Sequence, residues 1–170
     1  MKNKLLLTLS VICVLSLCAC NIEVKKDNKA EASSNSKIRN GIELKEDGLK
    51  VEQAFLLKDD GTLIDDNNKT QVSERISLRL IIHGWELKDD KVFPDASEKL
   101  STSTGQVLID QNSLFAASTP DGTTLENAGV ITLYATISRV DKLYDYFLVS
   151  FKVWDRTSNK SVSGSYKLYL

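Results

Sequence analysis

The sequence contains few of the side chains on which enzymatic chemistry usually depends. His83 is the only histidine, and all three cysteines lie within the first 20 residues, which leaves too small a ligand set for the usual zinc sites. A nucleophilic triad would have to use His83, yet no G-x-S-x-G or comparable motif accompanies it. Two carboxylates suffice for glycoside hydrolysis, but any chain with this many acids meets that requirement somewhere. We therefore expect no catalytic site and a structural or partly exposed His83.

Acidic side chains gather in two short segments and offer the hard oxygen ligands that Ca²⁺ prefers. The first segment contains Asp59, Asp60, Asp65 and Asp66, followed by Asn67 and Asn68, and the second contains Asp89, Asp90 and Asp95. The spacing matches no EF-hand, and Asp and Asn are common in turns for backbone reasons. Calcium is one hypothesis for these segments and plain turn chemistry is the other. No further cofactor is expected.

A group of tyrosines forms a second candidate binding surface. Strand alternation places them on the side opposite Phe147 and Phe151, and they are Tyr134, Tyr144, Tyr146 and Tyr169. Aromatic rings beside hydroxyls and a lysine can stack on sugar rings. Tyrosine is also enriched at protein contacts, and half-exposed tyrosines stabilise sheets by cross-strand packing. Trp154 lies roughly 26 Å along a strand from Tyr146, too far for the two rings to hold one small ligand.

Residues 41–170 carry these side chains on a pattern that alternates between apolar and polar with a period of two. No stretch sustains an apolar stripe at helical spacing for three turns, so the pattern predicts antiparallel strands. One predicted strand places Leu49, Val51, Phe55 and Leu57 on a shared face, and Asp60-Gly61 suits a two-residue hairpin turn after it. A second strand buries Ile76, Leu78, Leu80 and Ile82, and Gly84 marks a bulge or bend after it.

The C-terminal residues predict a three-strand meander over 130–138, 144–155 and 162–170, whose short connections favour sequential antiparallel pairing. Residues 105–109 read as a further strand, and 113–117 and 123–128 each predict a single helical turn, with Thr123 and Glu126 at capping-box spacing. About seven or eight strands in this length predict an all-β antiparallel β-sandwich of immunoglobulin-like size, with a barrel as the alternative.

Composition sets limits on the partners of this domain. The full chain is 42% hydrophobic and 26% charged, which is typical of a globular protein. Residues 41–170 hold 15 basic and 20 acidic side chains. Because phosphate binding needs a clustered positive field, this acidic balance argues against a nucleic-acid partner.

The N-terminus has the layout of a secretory signal. Lys2 and Lys4 precede an uncharged run over residues 5–17, which is shorter than the ~20 residues that span a bilayer. The residues Leu17-Cys18-Ala19-Cys20 resemble the lipobox of bacterial lipoproteins. That resemblance implies cleavage of a signal peptide over residues 1–19 and diacylglyceryl modification of the Cys20 thiol, with an ordinary cleaved signal peptide as the alternative. Asn21 is not the Asp that resembles an inner-membrane retention signal, so we expect the outer membrane.

A polar segment links this N-terminus to the β domain. Residues 21–40 contain few large apolar side chains and cannot bury enough surface to offset the entropy of ordering. We predict a lipidated Cys20 with a flexible tether over residues 20–40, and a β-sandwich over residues 41–170.

Together these patterns predict an exported, lipid-anchored module of the cell envelope that does not catalyse a reaction. One interpretation is protein interaction or scaffolding with an envelope protein. The alternative is binding of a polysaccharide on the tyrosine face, either with or without dependence on Ca²⁺. The membrane, reached through the lipid, is a partner in both interpretations.

Overall fold

The computed structural model describes residues 37–170, so the predictions for the signal peptide, for Cys20 and for most of the tether lie outside the described residues. Within residues 37–170, no helix is long and apolar enough to cross a membrane. The described elements are β1 (Glu43–Asp47), β2 (Lys50–Leu57), β3 (Arg75–His83), β4 (Pro94–Thr102), β5 (Val107–Gln111), α1 (Leu125–Ala128), β6 (Val130–Thr136), β7 (Phe147–Asp155) and β8 (Ser161–Leu168).

The strands form two antiparallel sheets. One has five strands in the order β1-β8-β7-β4-β5, and the other has three in the order β2-β3-β6. The fold is therefore an all-β sandwich, as the alternation of the sequence predicts. The core lies between the sheets, where Phe147, Val149, Phe151 and Val153 of β7 are at most 4% exposed. Ile76, Leu78, Leu80 and Ile82 of β3 are equally buried, which confirms the predicted face of that strand.

The predicted face of β2 is wrong beyond its first residues. The ladder between β2 and β3 shifts register between Val51 and Gln53. Because a bulge inserts one extra residue, the strand turns its other side to the core after this point. Ala54 and Leu56 are fully buried, whereas Phe55 is half-buried on the outer side.

The predicted three-strand meander is also wrong in its first pairing. β7 and β8 form the expected hairpin, with Phe147 opposite Leu168. However, β6 pairs with β3 in the other sheet, and β7 pairs with β4 as its second neighbour. Residues 137–146 connect β6 to β7 and are long enough to cross from one sheet to the other. Strand alternation is the same in either sheet and did not reveal the crossing.

The two Lys-Asp-Asp turns differ in their backbone. In the first, Gly61 has a φ of 82° and the Lys58 N–H donates to the Thr62 carbonyl at 2.9 Å. Asp60 keeps a negative φ, so the loop has three residues and not the predicted two. In the second turn, Asp89 and Asp90 both take positive φ, at 51° and 60°. The helical turn α1 begins after Thr124 and not after Thr123, since the Thr124 hydroxyl accepts from the Asn127 N–H.

Residues 37–40, which precede the predicted boundary at Gly41, hydrogen-bond to β2. The Arg39 N–H donates to the Ala54 carbonyl at 2.9 Å, and the Ala54 N–H donates to the Lys37 carbonyl at the same distance. Asn40 is 2% exposed at a φ of 59°, and its Oδ1 accepts from the Leu56 N–H at 3.0 Å. These hydrogen bonds attach residues 37–40 to β2, and the Asn40 side chain takes the place of a backbone partner for the Leu56 N–H.

Candidate functional site

The outer face of the five-stranded sheet carries an unusual set of side chains on its central strands. Directly opposed residues of antiparallel strands share a face, so the register defines this set. The outer face, as we call it, consists of the exposed and half-buried members of this set, which are Ser161, Ser163, Ser165 and Lys167 from β8, Leu148, Ser150, Lys152 and Trp154 from β7, and Ser97, Lys99 and Ser101 from β4. It is the solvent side of the strands whose other side forms the core.

The serines leave hydrogen-bonding groups open to solvent. Only the Ser101 hydroxyl among them hydrogen-bonds to the protein, donating to the Leu148 carbonyl at 3.4 Å. Within the described part of the chain, the other five serine hydroxyls have no protein partner. Since each hydroxyl both donates and accepts, the outer face offers a row of such groups on rigid strands.

One end of the outer face forms a groove beside two of the predicted tyrosines. Tyr146 and Tyr169 each lie one residue beyond the last pair of the β7–β8 ladder. The Lys167 Nζ lies 4.4 Å from the Tyr146 ring centroid, a favourable cation–π geometry. The groove has a volume of about 490 Å³, and its lining includes Tyr169, Lys167, Ser165, Glu43 and Asp66. We call it the tyrosine groove.

The opposite end forms a second groove, the tryptophan groove, with a volume of about 390 Å³. It is lined by Ser97, Asn112, Lys152, Trp154, Ser158, Asn159, Lys160 and Ser161. The loop over residues 156–160 is held by Asp155, whose Oδ1 accepts from the Thr157 N–H at 2.9 Å. The Lys160 Nζ is fixed by the Gly84 carbonyl at 3.0 Å and lies 3.6 Å from Glu86.

Asp95, one of the acids considered for calcium, lies near the start of β4 and binds the segment over residues 113–115. The residue is 3% exposed, and its carboxylate accepts from the Ser113 hydroxyl at 2.7 Å and from the Phe115 N–H at 2.9 Å. The N–H groups of Ala96 and Leu114 complete the set at 2.8 and 3.1 Å. Burial opposes its ionisation, but the hydrogen bonds, led by that of Phe115, hold the pKa of Asp95 below its ordinary value. Asp95 therefore positions the segment beside the tryptophan groove.

The structure does not bring the four predicted tyrosines together. Tyr169 lines the tyrosine groove, and Tyr146 lies against Lys167 of that groove. Tyr134 lies on β6 in the other sheet, where the Arg75 guanidinium is 5.2 Å from its ring centroid. Tyr144 packs edge-on against Phe147 with centroids 5.5 Å apart. Its hydroxyl donates to Asp141 at 2.6 Å, which raises the pKa of Tyr144 and lowers that of Asp141. Tyr134 is separated from the other tyrosines because β6 belongs to the three-stranded sheet, whereas β7 and β8 belong to the five-stranded sheet.

The acidic segments show no arrangement for a metal. Among residues 37–170, no three His, Cys, Asp or Glu side chains stand close enough to hold an ion. Asp59 pairs with Arg75, and Asp60 accepts from the Thr62 N–H at 2.9 Å, which lowers the pKa of Asp60. Asp65 and Asp66 lie in an exposed loop, and Asp89 and Asp90 are exposed turn residues. Turn chemistry accounts for these acids, and the calcium hypothesis gains no support from the described residues.

His83 lies exposed at the end of β3, opposite Lys50 of β2. Its side chain makes no hydrogen bond within residues 37–170. The hydroxyls of Ser163 and Ser165 beside Lys167 follow from the alternation along β8. The alternation of β8 alone did not indicate the serines that β4 and β7 add to the same face, because this requires the pairing of β4 with β7.

No family model matches the chain, and no curated protein sequence matches it. Among solved structures, the C-terminal domain of Wzt is similar to it, over 78% of this chain and 80% of that chain, at 14% identity and a TM-score of 0.47. A likeness at this level says nothing about a ligand or partner, so function is inferred from the outer face itself.

Proposed function

We propose that the β-sandwich is a non-catalytic carbohydrate-binding module of the cell envelope and that the outer face is its ligand surface. One observation carries the proposal: each end of that face places an aromatic ring next to a lysine, with serine hydroxyls between the two ends. Sugars combine apolar ring faces with many hydroxyls. Aromatic rings can stack on the former, and serine and lysine groups can hydrogen-bond the latter.

The length of the outer face favours a chain ligand over a single sugar. Tyr146 and Trp154 lie on the same side of β7 and its N-terminal extension, roughly 26 Å apart at the rise of a strand. A polymer that follows β7 would contact both grooves and the serines between them. Because these side chains stand on paired strands, the surface is largely preformed, which reduces the entropy lost on binding.

Affinity electrophoresis in gels that contain neutral or acidic polysaccharides tests this proposal. We expect Tyr146→Ala and Tyr169→Ala, made in the full chain with Cys20→Ser, to weaken retention several-fold, because each removes an aromatic platform. Tyr134→Ala is the matched control, since it removes an exposed tyrosine from the other sheet and should leave retention unchanged. Retention by no polysaccharide, or equal losses in all three variants, would contradict the proposal.

A second candidate function, contact with an envelope protein, is favoured by a different region. Leu143 is 99% exposed, and Leu170 and Val72 beside it are 51% and 46% exposed. With Val140 and Tyr144 they line an apolar pocket of about 410 Å³. Exposed apolar clusters of this kind mark protein contacts.

Crosslinking in intact cells separates the two functions. If the apolar end docks a protein, Leu143→Asp should abolish a specific crosslinked species, whereas Tyr146→Ala should leave it unchanged. Persistence of that species in Leu143→Asp would remove the second candidate.

A further inference from the structure

The two grooves of the outer face differ in charge. Glu43 and Asp66 line the tyrosine groove together with Lys167, so its charges are mixed. Among the described residues that line the tryptophan groove, two are lysines and none is acidic. This contrast stands out because residues 41–170 contain more acids than bases.

The two lysines of the tryptophan groove are available to a ligand in different degrees. Lys152 is exposed at the centre of β7 and forms no ion pair within residues 37–170. Lys160 is half-buried, and its Nζ is held by the Gly84 carbonyl at 3.0 Å, with Glu86 at 3.6 Å. The Lys152 ammonium is thus free to move toward an anion, whereas the Lys160 ammonium is held in place beside the loop over 156–160.

Two buried acids near this groove are already engaged by the protein. The Asp155 Oδ2 accepts from the Glu86 N–H at 3.1 Å, and its Oδ1 accepts from Thr157. Asp95, opposite Trp154 in the register, accepts four hydrogen bonds. Two exposed acids lie at the rim, Asp47 opposite Ser161 on the edge strand and Glu86 beside Lys160. Hydrogen bonds thus spread the charge of the two buried acids and reduce their repulsion of an incoming anion.

We propose that the tryptophan groove binds a negatively charged sugar residue of an acidic polysaccharide. This inference rests on the proposed function, since it names the ligand class of the same face. The half-buried Trp154 indole stacks on the sugar ring, and Lys152 with Lys160 pairs with its carboxylate or sulfate. The amides of Asn112 and Asn159 have no protein partner among residues 37–170 and bind the hydroxyls.

The two tryptophans supply a direct optical test. Trp85 is 7% exposed and its indole N–H donates to the Ala128 carbonyl at 3.0 Å, whereas Trp154 is half-exposed in the groove. Acrylamide therefore quenches Trp154 preferentially. We expect polygalacturonate or heparin to protect the fluorescence of the full chain with Cys20→Ser, and dextran, a neutral polymer, to do so at least about tenfold more weakly, since charged hydrogen bonds are lost. The two acidic polymers distinguish a carboxylate from a sulfate ligand.

Variants separate the groove from general charge attraction. Lys152→Gln should weaken binding of the preferred acidic polymer about tenfold and leave dextran binding unchanged. Lys99→Gln is the matched control, because it removes an exposed lysine from the same face outside the groove and should have a smaller effect.

Each other outcome overturns a specific claim. If dextran binds as tightly as the acidic polymers, carbohydrate binding stands and the acidic ligand is wrong. If Lys99→Gln weakens binding as much as Lys152→Gln, attraction is diffuse and the groove is wrong. If the chain binds none of the polymers in the fluorescence test or in the gels, the proposed function fails with the inference.

Discussion

Glu98 carries its carboxyl on the core side of β4, opposite Phe151 of β7. The residue is 5% exposed, and within the described part of the chain its Oε1 has no hydrogen-bond partner. Burial raises the pKa of Glu98 to about 7. Burial and the charge of Glu98 also raise the pKa of Tyr166, whose hydroxyl is likewise buried without a partner among these residues. The core therefore favours a protonated Glu98.

This environment makes stability depend on pH in a defined direction. Between the ordinary value of 4.5 and about 7, the folded state binds a proton that the unfolded state has released. The free energy of unfolding therefore falls as pH rises through this window, by roughly 3 kcal/mol in total. We expect Glu98→Gln to remove most of this loss, measured by urea unfolding at pH 5 and pH 8.

Glu43→Gln is the control for this prediction, since Glu43 is exposed on β1, an edge strand of the same sheet. It should retain the wild-type difference between the two pH values. An undiminished difference in Glu98→Gln would show that other groups cause it.

At Gly164 of β8, the backbone of β1 and the ring of Phe151 approach so closely that no side chain fits. A Cβ at this position would collide with the Glu43 carbonyl oxygen of β1 and would lie 2.6 Å from Cζ of Phe151. We expect Gly164→Ala to lower the free energy of unfolding by about 1–3 kcal/mol through overpacking, measured by chemical denaturation. Ser163→Ala, one residue away on the outer face, should change it little. Equal stability of the two variants would contradict the steric argument.

The segment before β1 is fastened by two buried asparagines. The Asn40 Nδ2 donates to the Ile64 carbonyl at 3.1 Å and to the Asn68 Oδ1 at 2.9 Å. The Asn68 Nδ2 donates to the Asn40 and Lys167 carbonyls, both at 2.8 Å. These bonds join the start of the domain, the loop after β2 and the end of β8.

Removal of this junction should be costly. We expect Asn40→Ala to lower the free energy of unfolding by about 2–3 kcal/mol, because it leaves buried backbone groups unpaired. Asn67→Ala changes an exposed amide in the loop after β2, next to Asn68, and should lower the free energy of unfolding by well under half as much. The two variants are compared by thermal and chemical unfolding, and similar losses would refute a special role for Asn40.

Sequence alternation predicted β3 and β7 because each buries every second residue without interruption. It failed in β2, where the bulge between Val51 and Gln53 exchanges the two sides. It also failed to assign β6 to a sheet, because alternation reports which side of a strand is buried and not which strand lies beside it.

The candidate site was predictable to a similar extent. Tyr146 and Tyr169 were placed on the correct side of β7 and β8, since both follow the alternation of those strands. Tyr134 was grouped with them only through the incorrect pairing of β6. The tryptophan groove is formed by the loop over 156–160 together with Asn112, which follows β5. These parts are far apart in the sequence, so local patterns do not predict that they meet.

At the scale of the whole molecule, the proposed lipid on Cys20 would hold the proposed binding face at a membrane. A single acyl chain anchors a protein only marginally, whereas two or three hold it stably on a membrane. We expect Cys20→Ser to move the protein from the membrane fraction to the soluble fraction, as measured by fractionation and immunoblotting. Cys18→Ser is the matched control and should remain membrane-bound. Unchanged fractionation of Cys20→Ser would refute the anchor.

The pairing of β1 with β8 joins Glu43 to Ser165 and therefore nearly the two extremes of the β domain. The five-stranded sheet cannot be completed until β8, the last strand, is present, because β8 is the only strand with which β1 pairs in that sheet. When a chain emerges N-terminus first from a ribosome or a translocation pore, its five-stranded sheet therefore remains incomplete until almost all of the chain has emerged. If the chain is exported as proposed, it completes the five-stranded sheet only after nearly all of it has crossed the membrane.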